Sequence, residues 1–275
     1  MKKSIRILFF ILLATGTGIF TSCDNDDGLN IFTLEQDRKF GREFDNQITA
    51  DTSDYIVLDE NEYSEAYDHL NRILDNLLES DDLNHTEDFD WKARIVMNKK
   101  RDTVLNAFAV PGGYMYFYPG LIRYLDNEAQ FAGVMAHEMA HVDKRHTTKR
   151  MTKLYGFQFL TGLILGENPD QWAEIVAQLA LGLGQLKFSR TDEYEADEYA
   201  VKYSSDTELY PKGVAGFFIK LQDEENRPKP PEFLSTHPNP GNRVEKIDEV
   251  WNNLGRPEGE TFTERYNEFK NALSE

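Results

Sequence analysis

Apolar side chains recur at helical spacing in two early stretches of the chain. From Thr33 to about Ile48, Leu34, Phe40 and Phe44 recur at helical spacing, and Thr33 with Gln36 has the spacing of a capping box. From Glu60 to Leu78, Tyr63, Tyr67, Leu70, Ile73, Leu74 and Leu77 form a stripe that predicts a second helix. The connector from Glu79 to Asp90 is acidic and loop-like. The period then shortens. Ala93 to Met97 and Thr103 to Val110 predict strands joined by a turn at Asn98–Asp102, and Tyr114 to Tyr118 predicts a third strand after the Pro111-Gly112-Gly113 turn. Beyond Pro119-Gly120 the pattern is helical again, with helices expected from about Asn127 to Lys149, around Tyr155–Leu165, over Gln171–Leu186 and over Glu193–Tyr203. The apolar run Gly156–Gly166 is shorter than the roughly 20 residues a bilayer requires and reads as a core helix. No internal repeat is visible.

Length and composition narrow the classes. A chain of 275 residues makes one large domain or two small ones, and 28% charged against 40% hydrophobic residues fits a globular protein. A net charge of -18 argues against a nucleic-acid partner, because binding phosphates takes a basic surface. The single cysteine excludes an intrachain disulfide and any Cys-built zinc cluster, so a metal site here uses histidines and carboxylates.

That cysteine ends a recognisable segment. The basic start Met1-Lys2-Lys3-Ser4-Ile5-Arg6 is followed by a mostly apolar run from Ile7 to Phe20 and then Thr21-Ser22-Cys23. The run is too short to span a bilayer and suits the apolar region of a signal peptide. The pattern resembles a bacterial lipoprotein signal, with Phe20 where such signals usually carry an aliphatic residue. The resemblance implies removal of residues 1–22, lipidation of Cys23, and attachment to a membrane in the cell envelope of a Gram-negative bacterium. The outer membrane is the expected site, on its periplasmic face or at the cell surface. An ordinary secretory signal or short anchor with an incidental thiol is the alternative. Removing Lys2, Lys3 and Arg6 leaves 27 basic and 48 acidic residues, a net charge of -21. Residues 23–32 read as an acidic tether, and Asp24-Asn25-Asp26-Asp27-Gly28 resembles the surface-export signals of Bacteroidota-type lipoproteins.

The strongest chemical signal is His137-Glu138-Met139-Ala140-His141. On a helix, residues four apart stand one above the other, so both imidazoles reach one metal ion, while Glu138 lies beside it where a proton acceptor is needed. His146, nine residues after His137, falls on the opposite face of a continuous helix and marks a polar face or a helix end. His69 and His85 read as surface or half-buried residues. A third protein ligand is required. The segment Ser189 to Glu198 offers Asp192, Glu193, Glu195, Asp197 and Glu198. Of these, Glu193 and Asp197 share a helix face with the small residues Ala196 and Ala200, which permit close approach of another helix, while Glu195 and Glu198 point elsewhere. The economical assignment makes Glu193 the ligand and Asp197 the residue that orients a ligand histidine.

Four motifs occur in order: Asn106-Ala107-Phe108-Ala109-Val110-Pro111-Gly112-Gly113, the HExxH segment, Ser189-Arg190 through Asp197, and Thr236-His237-Pro238. Together they resemble the HtpX/OMA/BepA-type zinc metallopeptidases, gluzincins related to the CAAX prenyl proteases, and in particular the soluble, membrane-attached bacterial members. The resemblance covers about Asp90 to Val250. It implies an α+β, predominantly helical, zincin-like fold with a small antiparallel sheet packed against the HExxH helix. It further implies one zinc ion on His137, His141 and Glu193, Glu138 as general base, Asp197 behind the ligands, and His237 near the metal. His237 would either stabilise the oxyanion or occupy the open metal position in a resting state. Arg243, at an expected helix start, is placed to pair with the acidic site region. Substrate is expected to add to a strand edge around Asn106, Ala107, Phe108, Gly113 and Tyr114. The domain plan is a single metallopeptidase domain over 33–275, with a helical part at 33–89, a catalytic core at 90–250 and a helical tail at 251–275. No tetratricopeptide-like repeats follow, so no added partner-binding domain is expected. The leading functional expectation is an endopeptidase acting on misfolded or misassembled envelope proteins. A processing protease with one dedicated substrate and a non-proteolytic, latched, chaperone-like zinc protein are the competing readings.

Overall fold

Thr33 and Gln36 do form the capping box: the Gln36 amide donates to Thr33 Oγ1 (3.2 Å) and the Thr33 amide to Gln36 Oε1 (2.7 Å). The helix they start, α1 (Leu34–Ala50), buries Phe40, Phe44 and Ile48. In this computed structural model the described residues are 29–50, 55–99, 101, 103–155, 187–223, 231–238 and 241–273. The signal segment with Cys23, the acidic stretch Asp24–Gly28, the apolar run Gly156–Gly166 and the helix expected over Gln171–Leu186 lie outside them. Asn30 and Phe32, in the expected tether, already pack on the domain: Asn30 bonds Thr148 Oγ1 at 2.9 Å, and Phe32 is buried.

The strand β1 (Tyr55–Val57) precedes α2 (Ser64–Leu78), which buries the predicted stripe from Tyr67 to Leu77. Next come β2 (Lys92–Asn98), β3 (Ala107–Val110) and β4 (Tyr114–Phe117) in a four-stranded sheet of order β1-β2-β4-β3. The sheet is mixed. β3 and β4 form the expected antiparallel hairpin, but β2 runs parallel to β4, pairing Ile95 with Phe117, and does not pair with β3. The reason lies in the turn. Gly112 and Gly113 take φ of 87° and 104°, conformations that favour glycine, and fold β3 onto one edge of β4. The other edge is then open to β2, whose ladder continues into the turn through Asp90 N–H to Gly112 O and Lys92 N–H to Gly113 O, both at 3.0 Å. Every residue of β4 is buried because alternate side chains enter different layers: Tyr114 and Tyr116 pack with Phe40 and Phe44 of α1, Met115 and Phe117 with α2 and the helices beyond.

After α3 (Pro119–Tyr124) comes the helix that carries HExxH, α4 (Glu128–Asp143), capped by Asn127 Oδ1. All its residues but Gln130 are buried, the signature of a helix packed on all sides. The expected helix to Lys149 is interrupted. α4 stops at Asp143, Arg145 adopts φ of 58°, and α5 (His146–Tyr155) starts in a new direction. Asp37 holds the Arg145 guanidinium at 2.6 Å, and Phe32 O accepts from it at 2.5 Å. Then follow α6 (Arg190–Ser205), α7 (Gly213–Asp223), α8 (Phe233–Thr236), α9 (Arg243–Asn253) and α10 (Thr263–Asn271). α4 makes its most extensive contacts with α6 and α7. Against α7 the backbones nearly touch, for a Cβ on Gly133 would lie 2.2 Å from Val214 N. The tail is part of the core: Tyr266 and Phe269 are fully buried, and Arg265 bonds Glu128 at the start of α4. Among the described residues no helix is long and apolar enough to cross a membrane.

Candidate metal centre

Two helices supply the centre. α4 presents His137 and His141 one turn apart, and α6 presents Glu193 from its first turn, behind a capping box formed by Ser189 and Asp192. A third element, the loop after α8, brings in His237. One ligand atom from each of His137, His141, Glu193 and His237 lies within 4.8 Å of the others, and all four residues are buried. The Nε2 atoms of His137 and His141 are 3.1 Å apart, Glu193 Oε1 is 3.5 Å from His141 Nε2, and His237 Nδ1 is 3.1 Å from Glu193 Oε1.

The outer nitrogens are committed elsewhere. His137 Nδ1 is 3.0 Å from Asp197 Oδ1, and His141 Nδ1 is 2.8 Å from His146 Nδ1. With their protons on the outer side, both histidines turn a lone pair inward, which suits a cation. Protonation agrees. Burial pushes His141 well below the ordinary histidine range, so it stays neutral. Burial alone would raise Glu193, but the charge of His237 and hydrogen bonds from His141 and His237 hold it well below the usual carboxylate range. Imidazole nitrogens converging on a buried, ionised carboxylate are the donor chemistry a divalent metal takes.

Glu138 lies at the inner end of this group, Oε1 3.4 Å from His237 Nε2, and burial raises its pKa against the pull of His237 and His137. Burial works the other way on His237, yet Glu193 and Glu138 raise its pKa. Aromatic rings wall the centre. Phe188 stacks on His141 at 3.9 Å, and Phe233 on His237 at 4.3 Å. Neither signalled itself in the sequence, since each sits in a short segment with no motif.

Arg243 is fully buried and does pair with the acidic region. It grips Asp197 with Nε and Nη2 at 2.6 and 2.5 Å, sets Nη1 2.8 Å from Glu193 Oε2, and lies over the Phe218 ring at 3.9 Å. The reading of His146 is corrected. The 100° rule does not extend across the break at Arg145, so its ring returns to His141 and is buried at 1% exposure. Glu195 points away from the four ligand atoms, as expected, but bonds His146 Nε2 at 3.0 Å. Glu198 pairs with Lys202 at 2.7 Å. His69 and His85 are half-buried.

The expected substrate residues divide. Asn106, Ala107 and Phe108 lie on or beside β3, the edge of the sheet that packs against α4, and Asn106 Oδ1 is buried with no hydrogen-bond partner among the described residues. Gly113 and Tyr114 are taken up elsewhere: a Cβ on Gly113 would meet the Asp90–Trp91 backbone, and the Tyr114 ring lies against Gly41 of α1. β4 is paired on both edges and offers no edge to a peptide.

Residues 65–251 match the model of peptidase family M48, well over half of the chain. The beta-barrel assembly-enhancing protease of Escherichia coli (strain K12) is 34% identical over 150 residues, 51% of this chain and 31% of that protein. The mitochondrial metalloendopeptidase OMA1 of Bos taurus is 29% identical over 164 residues, 53% of this chain and 30% of that protein. OMA1 of Schizosaccharomyces pombe is 23% identical over 256 residues, 90% of this chain and 72% of that protein. The chain spans about a third of the length of the bacterial relatives it matches. The family match runs across α4, α6, the His237 loop and Arg243, so it takes in the whole buried cluster, and the chain belongs to peptidase family M48.

Proposed function

We propose that the chain is a zinc metalloendopeptidase, lipid-anchored through Cys23 in a bacterial envelope, that cleaves misfolded or misassembled envelope proteins. The observation that carries the catalytic part is the buried group of four ligand atoms within 4.8 Å, with Glu138 beside it. His137, His141 and Glu193 would hold the ion. An ion held by these residues would supply Lewis-acid polarisation of a scissile carbonyl and would lower the pKa of water from 15.7 toward about 7. Glu138 takes the proton of the attacking water and passes it to the leaving amine, a task its raised pKa favours. The peptide would lie along β3, the outermost strand of the described sheet, where backbone hydrogen bonds give affinity with little sequence choice. The whole protein's substrates and the envelope location are proposed from the kinship with the bacterial beta-barrel assembly-enhancing proteases and from the N-terminal pattern.

His237 favours a resting form of this enzyme. Its Nδ1 lies among the ligand atoms, 3.3 Å from His137 Nε2, and so stands where a fourth ligand would stand. On displacement by substrate the same ring can donate to the developing oxyanion. The test is zinc stoichiometry and cleavage of an unfolded polypeptide by the mature chain, beside Glu138→Gln and His237→Ala. Glu138→Gln should keep its zinc and lose proteolysis. Full activity in that variant, or wild-type activity indifferent to a chelator, refutes the mechanism. Inactivity of the wild type and of His237→Ala, both with zinc bound, favours the non-proteolytic reading.

A further inference from the structure

Each ligand histidine of a metal centre needs a partner for its outer ring nitrogen, and here the two partners differ. His137 has a carboxylate, Asp197, itself clamped by Arg243. His141 has a histidine. We propose that His146 is the positioning residue of His141, and that Glu195 in turn fixes His146, a relay running from the buried centre to the half-exposed rim of α6. The proposal rests on the metallopeptidase reading above.

Only one arrangement of protons satisfies the chain of contacts. His141 Nε2 faces the ligand atoms and must carry a lone pair, so its proton sits on Nδ1. That N–H points at His146 Nδ1, 2.8 Å away, which must therefore accept. The His146 proton is then on Nε2, where it donates to Glu195 Oε2 at 3.0 Å. Every link has one donor and one acceptor, and the end of the chain is the Glu195 carboxylate, which can only accept once ionised. Both nitrogens of His146 are thus used, which leaves it outside the ligand group although its ring is buried.

The surroundings fix the ring. His141 is stacked under Phe188 at 3.9 Å and meets His146 edge-on, with centroids 4.9 Å apart and planes at 73°. His146 reaches this place only because Arg145 turns the chain in the left-handed region and starts α5 there. A histidine in that position does more than fill space, because both of its ring nitrogens are engaged. What it adds is an acceptor on one side of a ring and a donor on the other.

The experiment compares zinc affinity of the full chain, by competition with a chromophoric chelator, for wild type, His146→Phe, His146→Gln and Glu195→Ala. Melting of the metal-free proteins serves as the folding control. Loss of such an outer partner weakens metal binding by about 10–100-fold. His146→Phe should show that loss. His146→Gln should stay within about threefold, since an amide oxygen accepts and its nitrogen donates. Glu195→Ala, at a side chain 41% exposed, should fold and bind zinc several-fold more weakly. Wild-type affinity in Glu195→Ala and His146→Phe overturns the relay, as does equal weakening in His146→Phe and His146→Gln. If His146→Phe does not fold, Glu195→Ala decides alone. A wild-type chain that binds no zinc sinks the metallopeptidase reading itself, and the relay with it.

Discussion

Replacing Arg243 with methionine is the most informative single change, because it removes a charge that is fully buried. The guanidinium is completely buried and serves two carboxylates, Asp197 through two contacts of 2.6 and 2.5 Å and Glu193 at 2.8 Å, themselves buried. Methionine fills much of the same volume and keeps an apolar contact with Phe218, so packing alone is nearly conserved. The cost is electrostatic. Breaking a buried ion pair by removing one partner costs about 3–5 kcal/mol, since the remaining charge is left without compensation. With a urea slope of about 3 kcal/mol per M, the midpoint of unfolding falls by roughly 1–1.7 M. The assay is urea unfolding of the metal-free chain, where no ion can replace the lost charge. Adding zinc should recover part of the difference, because a cation beside Glu193 takes over one of the two carboxylates and leaves Asp197 with only the His137 ring as partner. A midpoint equal to wild type without metal refutes the argument. So does full recovery by zinc, which would mean that Asp197 needs no cationic partner beside His137.

Glu193→Ala removes the only carboxylate among the four ligand atoms and should abolish stoichiometric zinc binding, read by metal analysis after gel filtration. Burial alone would raise the pKa of Glu128, but Arg72 at 2.7 and 2.8 Å and Arg265 at 2.9 and 2.5 Å hold it below its ordinary 4.5. Its contribution to stability is therefore complete above about pH 4.5 and lost as pH falls through the folded value; Glu128→Gln should flatten that acid limb in urea titrations from pH 3 to 6, and an unchanged limb would count against it. Gly133→Ala places a methyl 2.2 Å from Val214 N, a backbone atom of α7, and should cost about 1–3 kcal/mol or more by thermal unfolding.

What the sequence shows of the site depends on whether the carrying element is regular. His137, Glu138 and His141 lie within one helix, and Glu193 with Asp197 within another, so a 3.6-residue period places them without reference to the rest of the chain. His146 is illegible by the same rule. The break before it falls at Arg145, not at a glycine, and the left-handed turn is held by Asp37 and Phe32, more than a hundred positions away. The sheet tells a similar story. The β3–β4 hairpin follows from Pro111-Gly112-Gly113, whereas the parallel pairing of β2 with β4 depends on which edge remains open after the hairpin has closed. Arg243 was legible as a charge near an acidic region, but its double grip on Glu193 and Asp197 comes from the approach of α9 to α6.

One consequence of this arrangement concerns helix α6 as a body. It carries the proposed ligand Glu193, the partner of His137 at Asp197, and the partner of His146 at Glu195, so positions i, i+2 and i+4 of one helix touch all three supports of the proposed centre. The three carboxylates meet different surroundings: Glu193 and Asp197 are buried between α4 and Arg243, and Glu195 is half-exposed beside α5. Because they share a rigid backbone, a shift of α6 changes all three contacts together, whereas loss of any one side chain leaves the other two. The distance between α6 and α4 is set by Ala196 and Ala200, both fully buried, and α4 and α6 are the most extensively packed pair in the described fold. The small residues that allow that approach thus determine the ligand geometry as much as the ligands do. Two histidines on one helix need a partner helix at a fixed distance before they can hold an ion, and the alanines of α6 provide it.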